Sequence, residues 1–275
     1  MRSFTLGRGF QLSNRYNRLL LILLALVTAA AGLIGGSLPA GLGMGGGFFF
    51  SWALAREIDP NHQASALVAG ALFLLSFPFH DGLEVGILLW LVLMLRVITK
   101  ICGRVPTNLD LAVVGGLSVW LAWSGRNSVM LLLLGAGLLM AYSRYGKELR
   151  WAVVTLVAAA LYLAASFVWL LEPGWLFALD PAVRLPVLGT GTVLGAGLLL
   201  AFRKDDQASD DLGQPVHNRW LQHGREFYVL AAFAVLLAGP FSGSTVIVLA
   251  AAPAGVLVLR IVSLARQKLF PAGDH

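Results

Sequence analysis

The chain has 275 residues, 58% of them hydrophobic and 12% charged, with a formal net charge of +6 at pH 7 and a mean hydropathy of +0.79. A soluble domain carries about 25% charged residues, so this composition excludes an ordinary soluble protein and indicates an all-α, polytopic integral membrane protein. The positive balance does not indicate nucleic acid, because the basic residues stand singly or in threes at the ends of apolar runs, where they orient a chain in a bilayer.

A bilayer core takes roughly 20 apolar residues per helix, and the hydropathy pattern predicts about ten transmembrane helices. A basic tail over 1–18, with Arg2, Arg8, Arg15 and Arg18, precedes the first helix, Leu19 to Gly35. That apolar run passes through Gly-Gly-Ser-Leu-Pro straight into more membrane sequence, so it reads as a retained helix, not a signal peptide. The glycine-rich second helix spans Gly36 to Ala55, with a re-entrant segment as its alternative form. The third and fourth, Gln63 to Phe79 and Gly82 to Ile98, join at His80 and Asp81. The fifth covers Leu109 to Trp123, the sixth Ser128 to Ser143, the seventh Trp151 to Leu171 and the eighth Leu185 to Phe202. Transmembrane helices 1–8 thus occupy 19–202, and a polar cytoplasmic loop occupies 203–225. The apolar stretch Phe227 to Val262 is too long for one crossing, so the Gly239-to-Ser244 segment divides it into ninth and tenth helices within 226–264. A cytoplasmic tail, 265–275, closes the chain.

With both termini cytoplasmic, every Lys and Arg except Arg126 and Arg184 falls on one side, the distribution expected in a bacterial-type inner (plasma) membrane. Ten helices also suit a 5+5 inverted repeat, because an odd-numbered unit that duplicates inserts its second copy upside down. Ile58-Asp59-Pro60 before the third helix and Leu179-Asp180-Pro181 before the eighth fit that scheme. The same pairs also serve as plain helix starts, with Asp as cap and Pro in the first turn. Cys102 is the single cysteine, which leaves no internal disulfide and no cysteine-based metal site.

Gly35, Gly36, Gly41, Gly43, Gly45, Gly46 and Gly47, with Pro39, make the second segment a poor continuous helix on propensity alone. Two readings follow. A broken helix would free backbone groups of Gly43, Gly45, Gly46 and Gly47 to hold a substrate at membrane depth. Alternatively, Gly41/Gly45 and Gly43/Gly47 are small-residue pairs for close helix packing. The run Gly41-Leu42-Gly43-Met44-Gly45-Gly46-Gly47-Phe48-Phe49-Phe50, followed by Ala64-Ser65-Ala66, resembles the glycine-rich first repeat of the TauE/SafE sulfite and taurine exporter family. That resemblance implies export of small organic or sulfur-containing anions.

Arg56-Glu57-Ile58-Asp59-Pro60-Asn61-His62 is the densest charged cluster beside a membrane helix. As a site, Arg56 would grip a carboxylate or sulfonate through its fork of donors, with Glu57 or His62 carrying a proton. As plain structure, it is a solvated hairpin in which Arg56 pairs with an acid and Asp59 caps the next helix. Ser242, in the break before the last helix, adds a hydroxyl to the candidate substrate-binding set. Asp110 reads as a cap of the fifth helix, and Glu84 as a hydrated residue one turn into the fourth. Gly189, Gly191, Gly195 and Gly197 give the eighth helix a contact face. Asp205, Asp206, Asp210 and Asp211 could hold magnesium against a diphosphate, or form a solvated acidic loop. His217 and His223 lack zinc-ligand spacing. The tryptophans read as an interfacial belt.

No Walker A, Gly-x-Ser-x-Gly or His-Glu-x-x-His motif occurs, and no cofactor, metal or catalytic residue is expected. The leading expectation is therefore a secondary transporter or permease for a small organic solute or anion, not an enzyme. Its expected partners are the lipid bilayer, the solute, and other subunits in a homo- or hetero-oligomer built through small-residue helix faces. The alternatives are a non-catalytic membrane subunit of a larger complex and a membrane-embedded lipid- or diphosphate-processing enzyme.

Overall fold

The computed structural model describes residues 5–7, 14–75, 82–125, 128–168, 191, 193–199, 208–209, 213–238 and 242–269. Apart from one two-residue hairpin, the regular structure in this set is helical. The chain divides into two compact units, each assembled from separated stretches of sequence.

One unit contains α1 (Arg15–Ile34), α2 (Leu38–Ile58), α3 (Gln63–Leu74), most of α7 (193–199) and α9 (Gly243–Leu269). Asn14 caps α1, its side chain accepting from the backbone N–H of Tyr16 at 2.9 Å. The α1–α2 turn uses Gly36 in the left-handed region, φ +62°, a conformation that costs glycine almost nothing. Ser37 then caps α2 and Pro39 falls in its first turn, where a missing N–H removes no helical bond. The second helix is therefore continuous, and the broken-helix expectation is corrected. Gly35, Gly36 and Pro39 belong to a turn and a helix start, and Gly41, Gly45, Gly46 and Gly47 face neighbours. A Cβ on Gly41 would lie 2.5 Å from the Thr28 carbonyl oxygen. One on Gly45 would strike the Thr28 hydroxyl, and one on Gly47 the Phe73 ring. Packing of α1 and α3 onto this stripe offsets its weak helix propensity.

The other unit contains α4 (Val85–Thr99), α5 (Asn108–Ser124), α6 (Val129–Val168), the hairpin β1 (Ala208–Ser209) and β2 (Pro215–Val216), and α8 (Asn218–Ala238). Trp90 of α4 is fully buried, and its indole N–H donates to Ser118 Oγ of α5 at 2.6 Å. Gly137 of α6 leaves room for Met94 and Phe227, and Gly224 of α8 for Thr99. The 203–225 loop is ordered in part. Ala208 and Val216 bury with Leu221 of α8 against Ile101, and α8 begins within the stretch expected to be loop.

The largest departure from expectation is α6. Where two crossings joined by a basic loop were expected, the backbone is one helix of 40 residues running through Arg144, Lys147 and Arg150. At 1.5 Å per residue this is about 60 Å, twice the bilayer core. Residues 143–150 include Arg, Lys, Glu and Leu, which are strong helix formers, and no proline. Hydropathy falls there, and Gly146 is the one residue of the stretch that could end a helix; the backbone continues through it.

Among the described residues three helices are long and apolar enough to cross a membrane: α1, α2 and Gly243–Arg266 of α9. The boundaries of the first five predicted helices hold to within a few residues where described, and α9 runs past the expected end of the tenth. Glu84 stands just before α4, not one turn into it. Asp180 and Pro181, the second arm of the expected repeat, lie outside the described residues.

Candidate functional site

The C-terminal turn of α2 and the short connection to α3 gather the strongest concentration of buried charge in the described chain. Arg56 is 7% exposed, Glu57 2% and Asp59 1%. They are carried there by a helix whose last nine residues are all buried. Arg56 lies over the ring of Trp52, one helical turn earlier, with Cζ 5.7 Å from the ring centroid. Asp59 closes α2, its backbone N–H bonding to the Ala55 carbonyl. His62 precedes α3, and its Nδ1 sits 3.0 Å from the nearer Asp59 carboxylate oxygen. Ser65, fully buried, donates its hydroxyl to the His62 carbonyl at 2.5 Å. The side chains of Ser51 and Trp52, in the same stretch of α2, hold polar atoms that make no hydrogen bond among the described residues.

Of the residues expected to bind substrate, Arg56 and Glu57 lie in the last turn of α2 and His62 just before α3, where Asp59 is the acid that holds it. Gly43, Gly45, Gly46 and Gly47 lie farther back on the same helix. Gly47 and Arg56 are about 14 Å apart along the axis, so glycines and charges do not form one locus. The glycine side also has its own occupants, Thr28, Leu83 and Phe73. Ser242 has a local role at the start of α9, where its hydroxyl pairs with that of Thr245 at 2.8 Å and accepts the Thr245 N–H.

Sequence reasoning assigned Trp52 and Trp90 to an interfacial belt, and both are buried; Trp120 and Trp123 are exposed, as a belt requires. Asp110 does cap α5, in a full capping box with Thr107. The His217 ring lies tilted against that of Trp220, centroids 5.3 Å apart, and His223 pairs with Glu226 at 3.1 Å, so each histidine has a separate local partner. The four aspartates of the acidic loop lie outside the described residues. Comparison of the chain with family models, with curated proteins and with solved structures gives no match.

Chemically, the α2–α3 corner offers a buried guanidinium, two buried carboxylates and an indole N–H, with the His62 imidazole, 43% exposed, at the edge where water reaches. Such a set can hold an anion on Arg56 and relay a proton through the carboxylates or His62. A purely structural cluster of this composition is costly, because desolvating several charges usually outweighs their mutual attraction.

Proposed function

We propose that the chain is an integral protein of a bacterial-type inner membrane that moves a small organic solute or anion, with its binding site at the α2–α3 corner. The observation that carries this reading is the burial of Arg56, Glu57 and Asp59 in a unit with three membrane-length helices. Ionisable groups among membrane helices are expensive and mark solute or proton paths. The likeness of residues 41–50 to the TauE/SafE exporters favours an anion.

The basic residues support a cytoplasmic orientation for both termini. Arg15 and Arg18 open α1, Arg56 ends α2, and Arg260 and Arg266 lie in the second half of α9. An α1 that leaves the cytoplasm, an α2 that returns and an α9 that ends there put all of these on one side. The test is flux of labelled small anions into proteoliposomes, compared between the native protein and Arg56→Ala. Uptake that is saturable and lost in Arg56→Ala supports the proposal. Equal flux in both proteins and in empty vesicles ends it.

A second reading, a non-catalytic membrane subunit, is favoured by α1. Only Leu20 and Ala31 of that helix are buried, while Leu33 is 84% exposed and Leu19, Leu21, Ile22, Leu26 and Ile34 are open as well. Lipid covers such a surface equally well. A stoichiometric protein that co-purifies in mild detergent, and is lost when side-chain bulk is removed from α1 by Ile22→Ala with Leu26→Ala, would favour the subunit.

A further inference from the structure

Thr5 and Leu6 are held in place by the helices around them. Thr5 and Leu6 lie in non-helical form against the end of α4 and the start of α5, within one compact unit. The Thr5 backbone N–H donates to Asp110 Oδ1 at 2.9 Å, and the Thr5 hydroxyl lies 2.6 Å from Asp110 Oδ2 and 3.2 Å from the Val105 carbonyl oxygen. The Leu6 N–H also points to Asp110 Oδ1, at 3.4 Å. On its other side the Leu6 carbonyl accepts from an Arg96 guanidinium nitrogen at 2.9 Å and from the Cys102 thiol at 3.6 Å. The Leu6 side chain is 1% exposed. The Asp110 carboxylate reads both main-chain donors and the hydroxyl, Arg96 and Cys102 read the main-chain acceptor, and the apolar side chain is buried beside them. This is how a short peptide segment is recognised.

We propose that the α4–α5 turn, with Arg96, Cys102, Val105 and Asp110, is a peptide-docking slot that the chain's own Thr5-Leu6 segment occupies as a detachable latch. Detachment follows from the balance of terms. The latch buries one large side chain and makes a handful of hydrogen bonds, and against these stands the conformational entropy lost in ordering a short non-helical segment. The slot itself survives release. Asp110 remains bonded to the Thr107 N–H at 2.6 Å, and Ile101 remains packed under Ala208, Val216 and Leu221. Latch opening therefore uncovers Cys102 and Asp110 without unfolding the helices that carry them.

Cys102 is the only cysteine and is buried, so its labelling rate with a maleimide reports the latch directly. Labelling of the detergent-purified native chain should be slow, and a variant lacking residues 2–7 should label about tenfold faster or more, as loss of a local protecting contact of this size predicts. A synthetic peptide of residues 1–10 should restore protection to the deletion variant, and the same peptide carrying L6D should not. Equal rates in the native chain and the deletion variant would overturn the proposal, as would failure of the peptide to protect. Hydrogen exchange of the unmodified protein gives an answer that does not depend on the deletion variant folding. The Thr5 and Leu6 amides should exchange faster than the amides of α4; exchange only together with α4 would show a fixed segment and refute the latch.

Discussion

Replacing Gly255 by alanine tests whether close helix packing is what the glycines of this chain are for. A Cβ built on Gly255 of α9 lies 2.5 Å from the backbone nitrogen of Ala69 in α3, and 2.7 Å from its Cα and Cβ. Carbon contacts become favourable only near 3.5 Å, so α3 and α9 must part by about 1 Å. The obstacle is backbone, and no change of rotamer relieves it. Overpacking of this kind costs about 1–3 kcal/mol, while alanine in place of glycine inside a helix contributes about 1 kcal/mol in the other direction. The expected net loss is up to about 2 kcal/mol, and at roughly 2–4 °C per kcal/mol the melting temperature falls by several degrees. Gly32 of α1 provides the control. Its added Cβ would stand 3.6 Å from the Ser37 carbonyl oxygen and 3.7 Å from the Gly41 Cα, which is ordinary contact. Gly32→Ala therefore keeps the helix gain and leaves the protein as stable or more so. Thermal denaturation of the detergent-purified full chain, followed by far-ultraviolet circular dichroism, reads both. Shifts of the same sign and size in the two variants would refute the reasoning, because they would show that the separation of α3 and α9 is not limiting.

Three other substitutions probe different forces. Ser118→Ala leaves the buried Trp90 indole N–H without its acceptor and should cost about 1–3 kcal/mol; combined with Trp90→Phe, the loss should be smaller than the sum of the two single losses, as a thermal double-mutant cycle would show. His62→Ala takes from Asp59, 1% exposed, the imidazole 3.0 Å away; because that imidazole is itself 43% exposed, water replaces it in part and stability should fall by about 1 kcal/mol or less in the same melting assay, whereas His62→Gln, which keeps a donor, should lower it less. Thr107→Ala dismantles the capping box of α5 and should cost about 0.5–2 kcal/mol, with maleimide labelling of Cys102 rising as Asp110 loses one of the groups that orient it.

The glycine-rich segment shows why the sequence could be read two ways and the structure in only one. Propensity scales treat each glycine and proline as a cost, and by that measure residues 35–47 do not form a helix. Position decides otherwise. Gly36 and Ser37 make a turn and a cap, Pro39 stands where its missing N–H has no consequence, and the later glycines are where Thr28 and Phe73 come close. None of this is visible without the partner helices. The 40-residue α6 illustrates the converse, because charge in mid-sequence reads as a loop although the Arg, Lys, Glu and Leu residues there favour helix. Caps and turns, which depend on residues a few positions apart, were legible: Asp110 as a cap of α5, and the division between α8 and α9. The latch was not, since Thr5 and Asp110 lie 105 residues apart and neither is unusual for its place.

The charged corner was found from sequence as a cluster, and the burial of its charges weighs against the solvated hairpin. A solvated hairpin would leave Arg56, Glu57 and Asp59 in water, where their pairing is worth at most about 1 kcal/mol and their loss would go unnoticed. Buried as they are, each needs compensation from the groups around it, and removing one partner of a buried pair costs about 3–5 kcal/mol. A cluster kept only for stability would be improved by apolar side chains of the same volume. Joint replacement of Arg56 and Glu57 by Met therefore separates the possibilities: a more stable protein that no longer carries solute places their role in transport, whereas a protein that fails to fold makes them part of the frame that holds α2 and α3.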